Sequence, residues 1–382
     1  MNAKYIVMSV FGARPDAVKM APLVKRLAAE PEIHNVCCVT GQHRQMLDGI
    51  LGHFGIKPDY DLDIMTPRQS LASITARTLT GMDEVFNELR PDLVLTHGDT
   101  STGFAAALAA FYHKIPVGHV EAGLRTGARY SPFPEEMNRQ MLARMAALHF
   151  CPTANNKRNL EAEGAAGAVY VTGNTVIDAL SMTVREDHIF ADPALRGLDF
   201  AKNRVLAVTA HRRENYGEAL ENICRALLDL RNQNPGAVIV YPVHLSPAVR
   251  DAVMPLLGGQ ERIVLTGPIG LLDMHNLMAR SYLVLTDSGG LQEEAPALGK
   301  PVLVMRRETE RPEAIEAGTV MLAGVERAGI VRMAQNLLDD AEAYGRMARA
   351  VNPYGDGRAS ERIVQAARHF AGLTPDPPPA FL

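Results

Sequence analysis

Short runs of consecutive apolar residues, each bounded by glycine, proline or charge, recur along the chain and read as buried strands. In the first half they are Tyr5–Val10, Val36–Thr40, Leu93–Thr96, Val117–Val120, His149–Cys151 and Val169–Thr172. In the second they are Arg204–Thr209, Val238–Val243, Ile263–Leu265, Tyr282–Thr286 and Lys300–Met305. Between them lie segments whose apolar positions recur at helical spacing. Examples are Ala17–Leu27, Ser70–Leu89, the alanine-rich stretch after Thr100, Ile330–Val351 and Ser360–Phe370. Strand followed by helix, repeated through both halves, predicts an α/β fold of two doubly wound, Rossmann-like parallel sheets facing each other across a cleft, with ligands at the carboxyl ends of the strands. The pattern loosens through Asp192-Pro193 and Gly197, and the expected division is 1–172 for the first domain and 173–359 for the second. The proline-rich 372–382 is expected to be a loose tail.

The chemistry sits where strands end. Leu283–Thr286 runs into Asp287-Ser288-Gly289-Gly290 and then a helix, so the backbone can approach a ligand closely while unpaired N–H groups and the helix dipole favour an anion. Glu293 and Glu294 follow; they either accept sugar hydroxyls or merely complement the dipole. Arg14 and Lys19 flank the first helix start, where a cation opposes the dipole unless an anion binds. Asp99, after Leu93–Thr96, is either a helix cap or a ligand group. Glu121 stands at a strand tip beside glycine, where a cap has little use. Glu135 is explained equally by helix initiation after Pro134, and His211 by an exposed loop. Arg311 is placed to hold a phosphate or a base. Asp61 and Asp63 resemble a metal-binding pair but have no companion ligands nearby, and we read them as structural.

Composition narrows the class. The 382 residues exceed what one hydrophobic core usually covers, which is the second reason for expecting two domains. A net charge of −4 without a basic stripe argues against nucleic acid, and no segment has membrane-spanning length. A cytoplasmic enzyme is expected. Cys37, Cys38, Cys151 and Cys224 lack metal-ligand spacing and read as buried thiols.

Taken together, Gly12-Ala-Arg14-Pro-Asp-Ala-Val-Lys19, His97-Gly-Asp99-Thr100, Pro116-Val-Gly-His-Val-Glu121-Ala-Gly-Leu-Arg-Thr126, Pro134-Glu135-Glu-Met-Asn-Arg139, Gly173-Asn174-Thr-Val-Ile-Asp178, Thr209-Ala-His211-Arg-Arg-Glu-Asn215, Asp287-Ser-Gly-Gly-Leu-Gln-Glu-Glu-Ala-Pro296 and Thr309-Glu-Arg311-Pro-Glu313 resemble the non-hydrolysing UDP-N-acetylglucosamine 2-epimerases. The resemblance runs from about Tyr5 to Phe370. It implies a GT-B-like fold whose last helix, 360–371, packs back on the first domain. It implies Asp99, Glu121, Glu135 and His211 as the catalytic group. Arg14, Lys19, Arg139, Asn174, Met274, Ser288, Gly289, Gly290, Glu294 and Arg311 become substrate contacts. Met274 stands where many relatives place an aromatic residue near the uracil, and Thr100-Ser-Thr-Gly103 where others have a threonine run.

The implied reaction interconverts UDP-N-acetylglucosamine and UDP-N-acetylmannosamine, supplying N-acetylmannosamine units for surface polysaccharide. C2 has no adjacent carbonyl to acidify its proton, so inversion needs either transient oxidation or loss of the nucleotide. No Gly-x-Gly-x-x-Gly follows any strand, which favours elimination of UDP and re-addition through a glycal, with no cofactor and no metal. The competing readings are a GT-B glycosyltransferase using the same donor and a nucleotide-sugar sensor, against which the carboxylates at strand ends argue. Gln42, Gln45, Arg68, Arg212 and His244 are polar residues beyond what one nucleotide sugar needs. Since bacterial relatives bind a second substrate molecule, these residues are the expected allosteric set. A homodimer is expected.

Overall fold

The computed structural model describes residues 4–41, 44–66 and 68–381, with 44–46 described by backbone alone. The chain divides into two compact units, 1–182 with 354–382 and 183–353.

The first unit is built on a seven-stranded parallel sheet. Its strands are β1 (Tyr5–Phe11), β2 (Ile33–Val39), β3 (Tyr60–Asp61), β4 (Leu93–His97), β5 (Val117–Val120), β6 (Leu148–Cys151) and β7 (Ala168–Val171). They lie in the order β3-β2-β1-β4-β5-β6-β7. The second unit has β8 (Arg204–Thr209), β9 (Ala237–Pro242), β10 (Ile263–Thr266), β11 (Leu283–Thr286), β12 (Val302–Val304) and β13 (Val320–Leu322), ordered β10-β9-β8-β11-β12-β13. Each order reverses once, between β1 and β4 and between β8 and β11. At such a reversal, neighbouring connections leave to opposite faces and open a crevice at the strands' carboxyl ends. Val7↔Leu93 and Leu283↔Leu206 set the register there, so His97 and Glu121 end neighbouring strands, as do Thr209 and Thr286.

The cores form as parallel sheets require: strands apolar on both faces, covered by amphipathic helices. In the first unit Met8, Val10, Val94 and Val117 pack against Met82, Phe86, Ala106 and Leu142. In the second, Leu206, Val208, Ile239 and Leu285 pack against Leu227, Leu230, Val253 and Leu337. No described helix is long and apolar enough to cross a membrane. All four cysteines are buried and unpaired by disulfide.

Two expectations are corrected. The boundary falls at 182/183 rather than 172/173, because helix Thr175–Thr183 up to Met182 is tied to the first unit: Asn174 N–H donates to Tyr354 O at 2.6 Å, and Asp178 accepts from Ala359 N and Ser360 N at 3.1 and 2.7 Å. The second unit likewise ends at 353, and helix Ala359–Phe370 packs on helix Arg14–Ala28, with Arg368 salt-bridged to Glu32 at 2.5 Å. The tail expected to be loose is pinned: Phe381 N–H donates to Val171 O at 2.9 Å and its ring lies under the Arg362 guanidinium.

Candidate active site

In the first unit the site gathers beyond β1, β4 and β5. Glu121 follows β5 with φ of +63°, a left-handed conformation that costs a β-carbon residue roughly 1–3 kcal/mol and that is concentrated at functional sites. The turn is completed by Gly123 at φ +87°, where a β-carbon would stand 2.2 Å from Asn156 O, so only glycine fits. The strained backbone aims Glu121 at three groups. Lys19 Nζ hydrogen-bonds its Oε2, Asn174 Nδ2 donates to the same oxygen at 2.8 Å, and His97 Nε2 lies 3.8 Å away.

Asp99 is held differently. Arg139 donates to its Oδ2 from Nε at 2.8 Å and approaches it with Nη2 at 2.6 Å, while Asn138 Nδ2 donates to the Asp99 carbonyl at 2.8 Å. Glu136, fully buried, anchors Arg139 in turn at 3.3 Å and accepts from Thr126 N at 3.0 Å. Burial opposes the Glu136 charge, but the Thr126 N–H, Gln140 and Arg139 outweigh it and hold the carboxyl below its ordinary range. Thr100, not Asp99, caps helix Ser101–Tyr112 by accepting from Gly103 N at 3.2 Å, so capping does not explain Asp99. Glu135 opens helix Glu135–Met145, half-buried, with no hydrogen bond or ion pair among the described residues. Under the site, His119 donates to Gly98 O at 2.7 Å, and burial pushes its imidazole down to about 3.

In the second unit, β8 and β11 deliver His211 and Asp287 to the strand-order reversal. Asp287 is fully buried. Its Oδ2 accepts from His211 N and Arg212 N, both at 2.7 Å, and from Asn215 Nδ2 at 3.1 Å, while Oδ1 lies 3.5 Å from His211 Nδ1. The carboxylate thus shapes the loop and faces the imidazole. Burial pushes His211 below its ordinary value; Asp287 opposes this, and His244 and Arg212 add to it. The His244 ring stacks on His211 at 5.5 Å between centroids.

Helix Gly289–Ala297 starts beside this loop, and its N-cap Ser288 makes no side-chain cap. A methyl group on Gly289 would stand 3.7 Å from Arg212 Nη2 and 3.9 Å from both Arg311 Nη2 and Glu310 Oε2. Two guanidinium groups therefore converge on an uncapped helix N-terminus, an arrangement that can hold a phosphate, with Glu310 on the rim. Arg311 is oriented by Glu293, and Glu310 is drawn to the buried Arg306. Glu294 lies 3.2 Å from the buried His275, whose other nitrogen bonds Thr183 at 2.7 Å.

A family model described as UDP-N-acetylglucosamine 2-epimerase matches residues 25–368. The UDP-N-acetylglucosamine 2-epimerase of Bacillus subtilis is 52% identical over 379 residues, 99% of this chain and 99% of that protein. This chain belongs to the UDP-N-acetylglucosamine 2-epimerase family. Among solved structures of UDP-N-acetylglucosamine 2-epimerases, the Neisseria meningitidis enzyme bound to UDP-GlcNAc is 46% identical with a TM-score of 0.84, covering 95% of this chain and 99% of that one. An S. aureus structure with UDP is 46% identical with a TM-score of 0.86, covering 99% and 100%.

In this epimerase-family chain, Asp99 and Glu121 lie at the first unit's strand ends together with Lys19, Arg139 and Asn174, whereas Glu135 opens helix Glu135–Met145 and touches none of them by hydrogen bond or ion pair among the described residues. Arg139 grips Asp99, and Lys19 and Asn174 grip Glu121. Arg14 sits at its helix start, half-buried and without a partner among the described residues. His211, Ser288, Gly289, Gly290 and Arg311 lie at the second unit's reversal, with Arg212 among them. Met274 is half-buried on helix Leu271–Arg280. Arg68 is exposed at φ +55°, Gln42 lies outside the described residues, and Gln45 is described by backbone alone. Sequence reasoning missed Asp16, His97, Glu136 and Asp287 as site residues. The signal available was a charged or imidazole group adjoining a buried strand end, a position where an unpaired polar group is costly. Among the described residues no group of three or more His, Cys, Asp or Glu could hold a metal.

Proposed function

We propose that this enzyme inverts C2 of UDP-N-acetylglucosamine, giving UDP-N-acetylmannosamine, by eliminating UDP and adding it back. A carboxylate of the first unit takes the C2 proton, the C2–H pair forms the C1=C2 double bond, and the C1–O pair leaves on UDP. Return of UDP to C1 and of a proton to the opposite face of C2 completes the inversion. Two carboxylates suit this chemistry, because each must act as base in one direction and acid in the other. Departing diphosphate charge is assigned to the second unit: the helix end at Gly289, Arg212, Arg311 and His211. The observation that carries the reading is the family membership over nearly the whole chain, joined to carboxylates with distinct partners at the first sheet's strand ends. Glu121 is turned by a strained backbone, and Asp99 is fixed by Arg139.

The test is incubation with UDP-N-acetylglucosamine alone, followed by proton NMR of the anomeric signals, with and without added sugar acceptors. Epimerisation without acceptor is expected; turnover only with an acceptor would favour a glycosyltransferase. Asp99→Asn, Glu121→Gln and His211→Asn are expected to lower turnover on the order of a hundredfold with the fold intact. Full activity in all three rejects the assignment.

Regulation by a second nucleotide-sugar molecule belongs to the same reading. His244 stacks on His211 and Arg212 shares its loop, so a ligand touching them would bear directly on the catalytic histidine. A progress curve from pure UDP-N-acetylmannosamine should show a lag that traces of UDP-N-acetylglucosamine abolish. A homodimer is proposed as well, with exposed Phe111 and Tyr112 as candidate contacts, and light scattering decides it.

A further inference from the structure

Behind Glu121 stands a line of buried groups that the elimination scheme leaves unused. Asp16, in the first turn of helix Arg14–Ala28, is 4% exposed; its Oδ1 lies 3.4 Å from His97 Nδ1, and its Oδ2 accepts from the Thr100 hydroxyl at 3.2 Å. His97 is 3% exposed, and its Nε2 has no hydrogen-bond partner among the described residues, facing Glu121 Oε2 at 3.8 Å. An ionised carboxylate can only accept, so Asp16 selects the tautomer with the proton on Nδ1 and turns the Nε2 lone pair toward Glu121. A lone pair opposite an ionised carboxylate has nothing to bond. It gains a partner whenever Glu121 carries a proton.

We propose that His97, oriented by Asp16, receives and returns the proton of Glu121, both acting as positioning residues, an inference resting on the elimination reading. The C2 proton bonds Glu121 as UDP leaves. It then passes from Glu121 to His97 Nε2, restoring the carboxylate and leaving an imidazolium opposite Asp16. The same proton, returned, makes Glu121 the acid when UDP re-adds to the glycal in the opposite direction. No oxidant, reductant or co-reactant enters. The gap must close by about 1 Å to reach hydrogen-bonding distance, a movement within a glutamate's side-chain freedom. The charged and titratable groups around His97 are Asp16 and Lys19 from the helix, Glu121 and His119 from β5 and its end, and the Asp99–Arg139 pair two residues on. Lys19 stabilises the ionised form of Glu121, so the imidazole is the nearby base that can take the proton away from it.

The experiment compares His97→Gln and Asp16→Asn with the wild-type full chain, following kcat and KM for UDP-N-acetylglucosamine across pH, with melting temperature and UDP binding as fold controls. Wild-type epimerisation tests the underlying reading by itself, and its absence overturns that reading and this proposal together. Given an active wild type, both variants should keep KM within about twofold while kcat falls about 10- to 100-fold, and the pH dependence of kcat should move. Unchanged kcat overturns the proposal. A loss of kcat whose pH profile superimposes on the wild type shows a structural role only and overturns it too. If His97→Gln fails to fold, Asp16→Asn decides alone, since asparagine keeps the shape and the Thr100 contact while presenting an amide to Nδ1.

Discussion

At the scale of single residues, the site is made by a few buried polar groups, each with a defined partner. Asp287 is the clearest case. One oxygen organises the loop through three N–H donors, and the other faces His211 Nδ1. Asp287→Asn can keep the loop by placing its oxygen toward those donors, but its amide then opposes the Nδ1 proton. Melting temperature should therefore change little, while kcat falls tenfold or more, on the order expected when a group that stabilises developing charge is mis-set. A normal kcat would show that the pairing has no catalytic consequence. His119 provides a pH prediction. Its folded-state value of about 3 lies below the unfolded value near 6.5, so the unfolded chain binds the extra proton and stability is lost as pH falls below about 6.5. Melting temperature should drop between pH 7 and 4.5, and His119→Gln should flatten that slope. An identical slope would assign the acid sensitivity elsewhere, to imidazoles such as His149 and His211 that burial also lowers.

At the scale of elements, eleven of the thirteen strands among the described residues are legible as apolar runs, and the two that are not are β3 and β13. Tyr60–Asp61 has two residues and Val320–Leu322 three, too few to show any periodicity, and both are edge strands that exist by pairing with a neighbour. The helical stretch Ile330–Val351 holds the end of one helix and all of the next, because Asp340 caps a new helix by accepting from Glu342 N and Ala343 N. The final helix is the element whose role sequence pattern alone conceals. Its start is capped by Asp178, 181 positions earlier, and its buried face of Ile363, Val364, Ala366 and Ala367 completes the first unit. Asp178→Ala should cost about 1–2 kcal/mol and loosen that helix, seen as faster amide exchange across 359–370. Unaltered exchange would mean that packing alone holds it.

At the scale of the whole molecule, most strands and the conspicuous strand-end residues can be read from the sequence, because apolar runs and glycine turns are local signals, and the family can be read from the motifs that resemble it. The partners that give those residues their character cannot, since Asp16 meets His97 across 81 positions and Asp287 meets His211 across 76. Nor does local pattern reveal that a residue such as Lys19, out of place at a helix start, belongs with Glu121. The reaction proposed for these groups is carried by side chains alone, C2 losing its proton to the protein and regaining one on the other face. Turnover of UDP-N-acetylglucosamine in heavy water, with no nicotinamide added and C2 followed by NMR, tests that claim most directly. UDP-N-acetylmannosamine carrying deuterium at C2 is the predicted result, and product that retains protium at C2 throughout would contradict it.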